Sequence, residues 1–249
     1  MTLASLAAIV LILTLAGLVK GATGMGLPTL GMGLLTLIMA PPDAAAILMA
    51  PAILTNVAQF ATGPRRAVVL RRFWPLGLCA ILGTLGGAVF LGGLDSHLAP
   101  ALLGGTLLVY GLFGLAKLQF HTPARLEPWL SPAMGLVSGL LTGTTGVTVM
   151  PVAPYLQSLN LDREDLVQAL GLAFTLSTFA LAVTLSLDFT ALGDATFALA
   201  SVGALVPAFI GMELGRRLRL AVSQATFRTG FFAALALLGA NTLVRALPL

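Results

Sequence analysis

The chain has 249 residues, of which 58% are hydrophobic and 9% charged, with a mean hydropathy of +1.01 and a formal net charge of +4. So few charges cannot cover a water-facing surface, since soluble domains carry roughly a quarter charged residues. An ordinary soluble domain is excluded. A nucleic-acid surface is excluded as well, because the basic residues fall in short clusters between apolar runs rather than along one face.

Backbone groups that face lipid need partners within their own segment, so only helices or closed barrels can span a membrane. Runs such as 98–116 and 197–212 lack the period-2 alternation of a barrel strand, and a helical bundle is expected. Crossing about 30 Å of hydrocarbon takes roughly 20 helical residues. In chain order the expected spans are 3–19, 44–62, 73–91, 98–116, 132–141, 166–187, 197–212 and 224–244. Residues 2–19 carry no charge and are followed by Lys20, the wrong order for a cleaved signal peptide, so they are kept as the first helix. The single cysteine, Cys79, excludes an intramolecular disulfide and reads as a small buried hydrophobe.

Two further apolar pieces, 29–40 and 152–159, are too short to cross alone. Each follows a break rich in glycine, threonine and proline, at 21–28 and 143–151, which marks a pair of interrupted helices. A shift of about 122 residues superposes the two breaks. Gly17 and Leu18 fall on Gly139 and Leu140, Gly21 on Gly143, Thr23 and Gly24 on Thr145 and Gly146, and Asp43 on Asp165. The same shift pairs Leu54, Thr55 and Asn56 with Leu176, Ser177 and Thr178. Two repeats are expected, over 1–118 and 126–249.

Loop charges set their orientation. Arg65, Arg66, Arg71 and Arg72 mark a cytoplasmic loop, whereas the corresponding second-half loop around Asp188 and Asp194 has no Lys or Arg. The next first-half loop, around Asp95 and His97, lacks them too, yet its counterpart carries Arg216, Arg217 and Arg219. Sidedness is exchanged between the halves, so the repeat is expected to be inverted. If the short pieces count as crossings, each half has five, and Lys20, Lys117, Arg125, Arg163 and Arg228 also lie inside, with Arg245 outside. Re-entrant hairpins with three crossings per half preserve the inversion equally well. The fold class is therefore an all-α transmembrane bundle of about 8 to 10 segments.

Irregular backbone at membrane depth is tolerated only where protein or water covers it, so two breaks point to one central cavity. Candidate substrate-binding residues are Gly21, Thr23, Gly24 and Asn56 from the first half. The second half supplies Gly143, Thr144, Thr145, Gly146, Ser177 and Thr178. Glycine allows close backbone approach, threonine offers a hydroxyl, and short helices restarting after Pro28 and Pro151 would turn N–H groups toward an anion. Close helix packing is the competing account of these small residues. Asn56 and Gln59 either line the cavity or bond between helices. Lys20 adjoins the first break, where snorkelling is favoured over anion attraction. Asp43 and Asp165 are expected to cap helices in preference to carrying protons. Glu213 should pair with Arg216 and Arg217.

The segments Gly21-Ala-Thr-Gly24-Met-Gly26-Leu-Pro28 and Gly143-Thr-Thr-Gly146-Val-Thr-Val-Met-Pro151, each followed by a helix with a polar point, resemble the TauE/SafE family, also called the 4-toluene sulfonate uptake permeases. That resemblance implies a multi-pass protein of the bacterial inner membrane that transports sulfite, sulfonates or related anions. It also implies Gly21, Thr23, Gly24, Gly143, Thr145 and Gly146 as substrate-lining residues. The expected partners are a small anion, membrane lipid and a coupling proton or sodium ion, with room for a homo-oligomer. No cofactor or metal is expected. An enzyme is disfavoured because His97 and His121 lie in loops and no Gly-x-Ser-x-Gly, Walker or paired-histidine motif occurs. A transporter or channel for another small anion, such as a carboxylate, is the alternative.

Overall fold

A computed structural model describes residues 3–118, 120–187, 195–221 and 223–246. The first half consists of α1 (Leu3–Thr23), α2 (Leu27–Leu35), α3 (Pro41–Ala61), α4 (Arg66–Phe90) and α5 (Ala99–Leu115). The second consists of α6 (Glu127–Thr145), α7 (Val152–Ser158), α8 (Arg163–Leu187), α9 (Ala195–Gly203), α10 (Leu205–Ala221) and α11 (Gln224–Ala246). All eight expected spans are helical, although the seventh divides into α9 and α10 at Ala204. Asp188 and Asp194 lie outside the described residues.

Among the described residues six helices are long and apolar enough to cross a membrane, and α5 is a shorter apolar helix. By contrast α2 and α7, with 9 and 7 residues, rise only about 14 and 10 Å, well short of the hydrocarbon thickness. The outer surface is apolar: Leu11 and Leu15 on α1, Val89 and Phe90 on α4, and Leu237 and Val244 on α11 are exposed. Large exposed apolar area is stable only against another apolar phase, here lipid.

Lipid tails remove the usual hydrophobic drive between helices, so close backbone approach does the work and small residues allow it. α1 packs on α10, and α6 on α4. A Cβ at Gly17 or Gly21 would collide with the backbone of Ala208 or Met212, and one at Gly211 or Gly215 with that of Thr14 or Leu18. At the other crossing, Gly139 and Gly143 face Ala80 and Thr84, while Gly83 and Gly87 face Leu136 and Leu140. Moving α1 forward by 122 positions and α10 back by 128 turns the first set of contacts into the second, pair for pair. Two further large pairings join corresponding helices of the two halves, α3 with α8 and α5 with α11, and α8 also packs on α4.

Charges gather at one end of this bundle. Arg65, just after α3, contacts Asp165 in the first turn of α8 at 2.9 Å, and Arg72 in α4 makes a two-pronged bond to Glu127 at the start of α6, at 2.6 and 2.8 Å. The starts of α4, α6 and α8 therefore share one end. Because α6 and α8 begin together, α7 must return the chain toward the end where α6 started. Tyr155 on α7 accordingly meets Ser131 on α6 at 2.6 Å.

Candidate functional site

Each break is shorter than the sequence suggests. α1 runs through Gly21 to Thr23, and α6 through Gly143 to Thr145, so the turns begin at Gly24 and Gly146. Both glycines hold positive φ, +80° and +70°, where a side chain would be strained. The Gly24 N–H donates to the Lys20 carbonyl at 2.7 Å, and the Gly146 N–H to that of Thr142 at 2.8 Å, which closes the last helical turn in the same way.

The threonines complete those turns. Thr23 Oγ1 donates to the Val19 and Met25 carbonyls at 2.9 and 2.7 Å and accepts from the Met25 N–H. Thr145 Oγ1 donates to the Leu141 carbonyl at 2.6 Å and accepts from the Val147 N–H at 3.2 Å. Thr144 bonds back to the Leu140 carbonyl at 3.0 Å. These hydroxyl protons are occupied by the chain's own backbone. Gly21 and Gly143 serve the helix crossings, which is the close-packing account of small residues.

The two halves meet where Gly146 lies against the Met32 side chain. A cavity of about 10 Å³ lies there, lined by Pro28, Met32 and Gly146 together with Ala45, Leu48 and Thr178. Such a space holds about one water. Thr178 and Ser177 are buried, and Thr178 Oγ1 donates to the Phe174 carbonyl at 2.6 Å. Gln59 bonds between helices, its Nε2 donating to the Val167 carbonyl at 2.9 Å. Gln168, fully buried, ties α8 back to the Phe60 carbonyl at 2.8 Å.

Lys20 departs from the expectation of snorkelling. It is 4% exposed, and Nζ donates to Oδ1 of Asn56, itself 0% exposed. Because an ammonium only donates, the amide must turn its oxygen to Lys20, which leaves Nδ2 pointing elsewhere. That Nδ2 has no partner, nor does Thr29 Oγ1 in the first turn of α2. Among the described residues no carboxylate pairs with Lys20, and Asn56 is the one hydrogen-bonding partner of its ammonium. Thr29 was not singled out by any sequence pattern. Lys20 just before a break, together with Asn56 as a polar point in a later apolar span, was the available signal.

The carboxylates serve packing and pairing. Asp43 lies in the first turn of α3, whose N-cap Ala40 has no side-chain cap bond, so Asp43 does not cap by a side-chain bond as expected; Asp165, in the first turn of α8, pairs with Arg65. Glu213 bridges Arg216 and Arg217 at 2.5 and 2.9 Å, as expected from their spacing. No cluster of metal-ligating side chains occurs among the described residues.

An apolar exterior and membrane-length helices, with two helices that break at Gly24 and Gly146, define a polytopic helical membrane protein. Comparison with known families narrows the class: the Sulfite exporter TauE/SafE family matches residues 9–242, nearly the whole chain. The chain belongs to the TauE/SafE family, which is a family of membrane transporters. No curated protein and no solved structure matches it significantly.

Proposed function

We propose that this protein is a secondary transporter of small sulfur-containing anions, sulfite-like or sulfonate-like, working by alternating access in the bacterial cytoplasmic membrane. The family's description as sulfite exporters supports the substrate class. The observation that carries the mechanism is the equivalence of the two glycine crossings, α1 on α10 and α6 on α4. That equivalence favours two inverted repeats, 1–118 and 126–249, whose interrupted helices meet at a shared centre, the layout from which rocking transporters are built.

The central cavity, with room for about one water, fits a state shut to both sides. An anion enters only when the halves part, and the candidate lining is then Gly24, Asn56, Gly146, Ser177 and Thr178, flanked by Gly21, Thr23, Gly143, Thr144 and Thr145. A proton or sodium ion is the proposed coupling ion. Purified protein in proteoliposomes should take up sulfite or a sulfonate saturably and with competition between them. Flux that rises linearly with concentration would instead indicate a channel, and competition by carboxylates alone would replace the substrate class.

A further inference from the structure

We infer that Lys20 is the charge-bearing contact for a monovalent anion held at the first break, with Asn56 Nδ2 and Thr29 Oγ1 as neutral donors. This rests on the reading of the protein as an anion transporter and assigns the charge to one half of it. Burying an ammonium without a counter-ion is costly, and proteins ordinarily avoid it by pairing. Lys20 is buried and meets only the neutral Asn56 oxygen among the described residues. The unsatisfied polar atoms are Asn56 Nδ2, a donor on the residue that Lys20 contacts, and Thr29 Oγ1, able to donate, on α2, which packs against both α1 and α3. An ammonium without a counter-charge, an amide nitrogen on its own partner without an acceptor, and an unsatisfied hydroxyl in the short helix after the break are the groups that a small anion would satisfy.

The second half shows that the arrangement is specific to the first. The shift of 122 carries Lys20 to Thr142, Asn56 to Thr178 and Thr29 to Pro151. Thr142 Oγ1 donates to the Ser138 carbonyl at 2.8 Å, Thr178 Oγ1 donates to the Phe174 carbonyl, and Pro151 has no side-chain donor. The second break is thus complete without a ligand. A monoanion neutralises the one ammonium, whereas a dianion would leave a net buried negative charge. The site therefore selects monoanions over dianions.

The test is equilibrium binding to purified protein at pH 7.5 of methanesulfonate, nitrate, chloride and acetate against the dianion sulfate. The expected result is at least tenfold tighter binding of one or more monoanions than of sulfate. Lys20→Met should weaken that binding at least tenfold without lowering the unliganded Tm, because it removes an unpaired buried charge, and Lys20→Arg should restore it to within about threefold. Asn56→Asp supplies an internal carboxylate to Lys20 and should abolish anion binding in a folded protein, which keeps the test decisive if Lys20→Met does not fold. Monoanion binding unchanged in both Lys20→Met and Asn56→Asp, or sulfate preferred over every monoanion, overturns the inference. Sulfite or sulfonate uptake that survives Lys20→Met unchanged overturns it while leaving the transport reading standing. Lys20-dependent binding confined to nitrate, chloride or acetate supports it and removes the sulfur-anion reading.

Discussion

The two helix breaks share a frame and differ in chemistry. Both turn on a left-handed glycine, Gly24 or Gly146, and both use a threonine, Thr23 or Thr145, to tie down the freed backbone. At the second break the hydroxyls at the positions matching Lys20 and Asn56 are satisfied internally. At the first, a buried ammonium, an amide nitrogen and a hydroxyl lack full partners. The two breaks thus share their turn geometry and differ in how completely their polar side chains are satisfied.

The largest effects should come from the shared frame. Gly139→Val and Gly17→Val each drive a branched side chain into a facing backbone, at Ala80 and at Ala208, and should cost more than about 3 kcal/mol, the upper range for overpacking. Loss of monodisperse protein on size-exclusion chromatography checks this. Comparable damage at both positions supports equivalent crossings, and a tolerant member of the pair would break the comparison. Gly24→Ala and Gly146→Ala each force a side chain into positive φ, at about 1–2 kcal/mol. Space then separates them: a Cβ at Gly146 meets the Met32 side chain at 2.9 Å, whereas one at Gly24 meets nothing within 4 Å. Thermal unfolding should therefore show the larger loss for Gly146→Ala.

Smaller effects sharpen the chemical difference. Thr23→Val and Thr145→Val each delete a back-bonded hydroxyl and should lower stability by about 1 kcal/mol, measured by the same unfolding. Asymmetry greater than about twofold between them would show that one hydroxyl does more than hold its turn. Glu213→Gln, which breaks an exposed helical pair, should change stability by less than about 0.5 kcal/mol.

Much of the architecture was legible because hydrocarbon length and loop charge are written directly into composition. α3 and α8 lie within three residues of their expected limits, whereas α4 begins at Arg66 instead of 73 and α10 runs on to Ala221, so Arg66, Arg71, Arg72, Arg216, Arg217 and Arg219, read as loop charges, lie within helix ends. The split at Ala204 was not legible, since apolar residues continue through it. Nor were the break limits, because a glycine cluster does not say which member takes positive φ. Gly21 and Gly143 remain helical and face neighbouring helices, and only Gly24 and Gly146 turn the chain. Lys20 was misplaced for a related reason. Once α1 continues to Thr23, its last turn points the ammonium at Asn56 instead of toward the membrane face. The first-half orphans depend on which donors meet which acceptors across helices, and a linear pattern does not carry that.

The most direct measurement is the sidedness of the two matching positions 68 and 190. Cysteines placed at Val68 and Thr190 in a Cys79→Ser background can be labelled by a membrane-impermeant maleimide from either face of oriented vesicles, Thr190 lying outside the described residues. Opposed repeats predict that position 68 reacts only from the cytoplasmic face and position 190 only from the other. Labelling of both from one face would contradict the inverted arrangement and the shared centre that rests on it.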